Sequence, residues 1–94
     1  MADIRILVVD DEESIREFFE IMLKREGYQV TTAAHGQEGL DLFRKNQFDL
    51  VISDIQMPEL SGMELLTKIK EIDSEAIVLM ITAFASTDTA IEAM

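Results

Sequence analysis

A chain of 94 residues with 48% hydrophobic content is one domain's length and has enough apolar material for a core. Its 19 acidic against 8 basic residues give a formal net charge of −11, with Lys and Arg scattered, which excludes the basic face that direct nucleic-acid binding needs. It has no Cys for a disulfide or thiolate metal site and no apolar run near the roughly 20 residues of a membrane span, and "MADIRILVVDDEES" turns acidic too soon for a signal peptide, so a cytoplasmic protein is expected.

In chain order, Ile4–Val9 is a short apolar run that predicts a strand. Ser14-x-x-Glu17 reads as a capping box opening a helix to about Glu26, with Gly27 as its stop and Ile15, Phe18, Phe19, Met22 and Leu23 as apolar stripes. Val30–Ala33 predicts a second strand, and Gly36 to about Asn46 a second helix with Leu40, Leu42 and Phe43 inward. His35, the only histidine, stands at that helix entrance and reads as a solvated turn residue rather than a ligand or phosphocarrier. Leu50–Ser53 is a third strand, Ser61-x-x-Glu64 a capping box for a helix to about Ile72, and Ile77–Thr82 a fourth strand. Ser86 would cap a fourth helix, barely begun at Met94, and the Met residues read mostly as packing. Three of the strands are apolar almost throughout, so they are expected to be covered on both faces, as in a parallel sheet. The alternating order with right-handed crossovers predicts an α/β fold with a doubly wound parallel sheet over a single domain, 1–94.

In such a sheet, function gathers outside the carboxyl ends of the strands. That brings together Asp10-Asp11-Glu12-Glu13, Ser53-Asp54-Ile55-Gln56-Met57-Pro58 and Thr82-Ala83. Each has a plain structural reading. Acids at a strand end often just begin the next helix, where they meet its positive end, and a lone Asp before a turn is usually structural. It is their conjunction at neighbouring strand ends that predicts a site for a hard divalent cation such as Mg2+.

The segments "ILVVDDEESIR", "DLVISDIQMPELSGMELL" and "VLMITAFAS" closely resemble the receiver domain of two-component response regulators, across the whole chain. The resemblance implies a flavodoxin-like fold, with Asp54 taking a phosphoryl group from a sensor histidine kinase or phosphotransfer protein. It implies that Asp10, Asp11, Asp54 and the backbone carbonyl of Gln56 hold Mg2+, that Thr82 is the switch hydroxyl assisted by the amide of Ala83, and that Pro58 and Gly62 shape the adjoining loop, with Met57 packing it. Such a domain is a phosphoacceptor with at most autophosphatase activity rather than an enzyme, and its switch controls an output module. "FASTDTAIEAM" resembles receivers of enhancer-binding activators of bacterial transcription.

Receivers continue through a fifth strand and helix, with a Lys near that strand's end that pairs with the phosphoryl group; Lys24, Lys45, Lys68 and Lys70 lie on earlier segments. The expectation is a piece of a longer receiver, with strand order 2-1-3-4 and the fifth strand and helix missing. Strand four would then be a sheet edge and helix one partly uncovered, which predicts self-association through either. Two other readings compete: a non-phosphorylated pseudo-receiver or interaction fragment, and a Mg2+-dependent phosphohydrolase. The latter typically carries a second Asp two residues after its nucleophile, where this chain has Gln56. A flavin-binding relative fits poorly, because no Ser/Thr/Gly-rich loop follows strand one.

Overall fold

The computed structural model describes residues 4–81. Four short strands, β1 (Arg5–Val9), β2 (Gln29–Ala33), β3 (Leu50–Asp54) and β4 (Val78–Ile81), alternate with helices α1 (Glu13–Arg25), α2 (Gly36–Lys45) and α3 (Gly62–Ile72). All neighbouring strands are parallel, in the order β2-β1-β3-β4. The expected doubly wound sheet with order 2-1-3-4 is therefore present. The expected fourth helix from Ser86 lies outside the described residues.

The central strands are apolar almost throughout because each of their faces meets a different layer. On one face Leu7, Val9 and Val51 pack with Leu40 and Phe43 of α2 and Leu65 and Ile69 of α3, all buried. On the other, Ile6, Val8 and Ile52 are buried beneath Phe19 and Leu23 of α1. Each fully buried Leu or Ile contributes roughly 1.5–3 kcal/mol over an exposed one, so these central strands anchor the domain. Gly39 lets α2 lie close to β1, since a Cβ there would sit 2.7 Å from Val9 Cγ2.

Helix ends follow local chemistry, with one correction. At α3 both halves of the expected capping box are present: Ser61 Oγ accepts from the Glu64 amide and the Glu64 carboxylate from the Ser61 amide. At α1 the expected Ser14 box does not form; the helix starts at Glu13, with Glu12 at the N-cap and no side-chain cap. The reason is that Asp10 Oδ1 accepts from the Glu12 amide at 2.9 Å, a local turn that starts the helix before Ser14. The C-terminus of α1 stops as expected at Gly27, whose φ of 91° is a left-handed conformation. There the Tyr28 amide donates to Leu23 O and the Gly27 amide to Lys24 O, while Tyr28 and Leu23 pack in one cluster, a Schellman stop.

His35 is exposed, as expected of a turn residue, but it also caps α2: its Nδ1 accepts from the Glu38 amide at 3.2 Å, and Glu38 Oε1 accepts from the Ala34 amide at 2.6 Å. The stripe expected along α1 divides, with Phe19 and Leu23 half-buried and Phe18 57% and Met22 38% exposed. No helix among the described residues is long and apolar enough to cross a membrane.

Candidate functional site

The register of the central strands builds the site. Val9 pairs with Ser53, so the residues that follow, Asp10 and Asp54, emerge side by side at the carboxyl ends of β1 and β3. The two-residue alternation that groups Ile6 and Val8 with Ile52 brings both acids out on that same side. Asp10 and Asp54 are fully buried and Asp11 is exposed. One carboxylate oxygen from each of Asp10, Asp11 and Asp54 lies within 4.8 Å of the others. At that separation two full charges repel by about 3 kcal/mol at an effective dielectric constant of about 20, a large term for a small domain.

The electrostatics agree. Burial pushes the Asp10 carboxyl up from the ordinary carboxylate range, the neighbouring charges of Asp54, Asp11 and Glu12 push it further, and the Glu12 amide only partly opposes them. Asp10 is held on three sides: its amide donates to Ala33 O, its Oδ1 accepts from the Glu12 amide, and its carbonyl accepts from Arg16 Nη1 at 2.8 Å. Its other carboxylate oxygen, Oδ2, is buried with no hydrogen-bond partner among the described residues. A buried acceptor left in this state next to two further carboxylates is the donor set that a hard cation satisfies.

Asp54 Oδ1 accepts from the Gln56 amide at 3.3 Å, so the loop after β3 turns back toward its own carboxylate. That loop is tightly held. Met57 is buried in the α2/α3 core, as expected of a packing residue. Glu59 has a φ of 67°, and the Leu60 amide donates to Pro58 O across it, a tight and strained reversal. Gly62 then begins α3 against the site: its amide donates to Ile55 O, and a Cβ at this position would lie 2.1 Å from the Asp54 carbonyl oxygen. Only a residue without a side chain lets the helix start so near the strand end.

Of the residues expected at the site, the fold brings together Asp10, Asp11 and Asp54, with Gln56 beside them through its amide. Thr82 and Ala83 lie outside the described residues, although Ile81, which precedes them, is paired with Asp54 in the sheet. Sequence reasoning assigned no role to Arg16. The available signal was a lone cation one helical turn beyond the acidic run.

With the geometry established, the likenesses to known proteins fall into place. The response regulator receiver domain family matches residues 6–94. The transcriptional regulatory protein ZraR of Klebsiella oxytoca is 43% identical over 89 residues, covering 95% of this chain and 20% of that protein. Sporulation initiation phosphotransferase F of Bacillus subtilis is 38% identical over 88 residues, 94% of this chain and 71% of that one. Among solved structures, the Thermotoga maritima response regulator TrrA in complex with Mg(2+)-BeF superposes with a TM-score of 0.82 at 42% identity, covering 90% of this chain and 72% of TrrA. The complex of TrrA with the histidine kinase ThkA matches with a TM-score of 0.82 at 43% identity, over 89% of this chain and 72% of that one. A parallel sheet ordered β2-β1-β3-β4, an acidic trio at its carboxyl end and a match over nearly the whole length agree, and the chain belongs to the response regulator receiver domain family, the phosphoacceptors of two-component signalling.

Proposed function

We propose that Asp54 is the phosphoacceptor of this domain and that Asp10, Asp11, Asp54 and the backbone carbonyl of Gln56 are its Mg2+ ligands. The observation that carries the reading is the buried Asp54 carboxylate at the end of β3, within 4.8 Å of those of Asp10 and Asp11. The partnerless Oδ2 of Asp10 fits a cation as well, and TrrA was solved with Mg(2+)-BeF. Bound Mg2+ would offset the charge of the acids and of the incoming phosphoryl group. An Asp54 carboxylate oxygen forms a new bond to phosphorus while the bond from phosphorus to the donor's imidazole nitrogen breaks, and the electron pair left on that nitrogen takes up a proton. The acyl phosphate carries more charge and more acceptor oxygens than the carboxylate it replaces. Thr82 and the Ala83 amide respond to that difference, giving a local switch. Water attack on the acyl phosphate would return Asp54 and release phosphate, an autophosphatase activity.

The donor in this reading is a sensor histidine kinase or a phosphotransfer protein in the cytoplasm, a partner supported by the TrrA complex with ThkA. The output is a separate module, supported by the likeness to ZraR, of which this chain spans 20%. The decisive experiment is intact-protein mass spectrometry after incubation with a small-molecule acyl phosphate, with and without Mg2+. The expected result is a Mg2+-dependent gain of one phosphoryl group that Asp54→Asn abolishes; uptake persisting in the folded variant would overturn the assignment.

A second proposal concerns association. Phe18, Ile21 and Met22 of α1 are exposed, as is Leu79 of β4, the terminal strand of the sheet among the described residues. Apolar groups in these positions favour pairing of two copies through α1 or β4. Light scattering that finds only monomers across the micromolar range would exclude it.

A further inference from the structure

We infer that Arg16 is a positioning residue for the cation site, acting on Asp10 through the backbone rather than through a carboxylate. The inference rests on the reading of Asp10 and Asp11 as Mg2+ ligands. Arg16 stands in the first turn of α1 and is bound to the strand-end segment twice. Its amide donates to Glu12 O, the first bond of a helix that has no side-chain cap, and its guanidinium Nη1 donates to Asp10 O at 2.8 Å. The side chain thus reaches back across the acidic segment and closes residues 10 to 16 into a ring.

The consequence lies in how Asp10 is fixed. Its amide bond to Ala33 O holds it to the end of β2, and the Glu12 amide holds Oδ1. The carbonyl bond to Arg16 is the remaining restraint; without it the peptide joining Asp10 to Asp11 is free to rotate, and these are the two acids that must converge with Asp54. Oδ2 of Asp10 is buried and has no hydrogen-bond partner among the described residues, so it is aimed only through the Glu12 bond to Oδ1 and through the placement of the backbone. Arginine suits the task because its planar fork donates along a fixed direction from a long stem. Partners of this kind, one bond removed from a metal ligand, are commonly worth a tenfold or larger change in affinity.

The test is isothermal titration of the whole chain with Mg2+ alone, for wild type, Arg16→Ala, Arg16→Lys and Arg16→Met, beside Asp11→Asn as a reference. Arg16→Ala is expected to weaken Mg2+ binding about tenfold, and Arg16→Lys, which keeps a donor on a long stem, to recover most of the loss. In phosphorylation by an acyl phosphate, the Mg2+ concentration for half-maximal rate should rise by about the same tenfold factor while the plateau falls less than about twofold. If Arg16→Ala fails to fold, Arg16→Met, which keeps the apolar stem and removes the donor, carries the same expectation. Unchanged Mg2+ affinity in a folded Ala or Met variant would overturn the inference, as would a Lys variant no better than Ala. If Asp11→Asn leaves Mg2+ affinity unchanged, it is the reading of the metal ligands that fails, whatever Arg16 does.

Discussion

The two faces of the sheet are built to different standards. On the α2/α3 face, Leu40, Phe43, Leu65 and Ile69 are buried against Leu7, Val9 and Val51. On the α1 face no residue of the helix is buried, and Phe18 and Ile21 remain 57% and 61% exposed. The first face holds the strands together and fixes the loop after β3 through Met57 and Gly62. The second leaves its helix attached mainly by Phe19, Leu23 and the contacts at its two ends. Among the described residues, then, the α2/α3 face is the more fully covered of the two, and the site is anchored chiefly from that side.

The sharpest way to break that comparison is truncation on each face. Leu65→Ala should cost about 3–4 kcal/mol in a chemical denaturation, the usual range for a fully buried Leu, whereas Phe18→Ala should stay within about 0.5 kcal/mol. Equal costs would mean that the α1 face is sealed in solution. Gly62→Ala comes next, at about 2–3 kcal/mol, because the new Cβ would meet the backbone oxygen of Asp54 and helix α3 must retreat. The same variant should slow phosphorylation by an acyl phosphate, since the helix start and the acceptor share that contact.

Capping gives a smaller and cleaner contrast. Ser61→Ala removes a complete capping box from α3 and should lower stability by about 1 kcal/mol, which is about 4–8 °C of melting temperature for a domain of this size. Ser14→Ala on α1 should change it by under about 0.5 kcal/mol, because Ser14 caps nothing. Equal shifts in thermal melts would contradict the starting point of α1.

The last prediction concerns the rim between the faces. The Asp10 carboxyl is held above its ordinary value by burial and then by its acidic neighbours. Its contribution to stability is thus complete at pH below the unfolded carboxylate value and is lost as pH rises through the folded one. In chelator, Asp10→Asn should therefore melt higher than wild type near neutrality, and the gap should close as the pH is lowered into the carboxylate range. Saturating Mg2+ should reverse the order, because only the ionised carboxylate stabilises the cation. A gap independent of pH in thermal melts would show that Asp10 carries no such strain.

Much of this molecule was legible in its residues. The strand runs, the Gly27 stop, the Ser61 box and the inward face of α2 all follow from local periodicity and turn chemistry, which act over a few residues and need no distant partner. The acid pair and Asp54 were legible as a candidate site once the elements were placed in order, because parallel strands carry their carboxyl ends to one edge. Ser14 was misleading because a capping box is a local rule, and here a competing local bond, from the Glu12 amide to Asp10 Oδ1, starts the helix first.

What the sequence by itself determined, then, is the order of elements, their apolar faces and the kind of chemistry gathered at the strand ends. Tertiary structure decided the rest: the register that sets Asp10 beside Asp54, the burial that raises the Asp10 carboxyl, the glycine contact with the Asp54 carbonyl, the division of α1 into covered and bare sides, and the reach of Arg16 to the Asp10 backbone. The physical reason is one of range. Periodicity and capping are written in neighbours along the chain, whereas desolvation, like-charge repulsion and close backbone approach exist only between segments that folding has brought together.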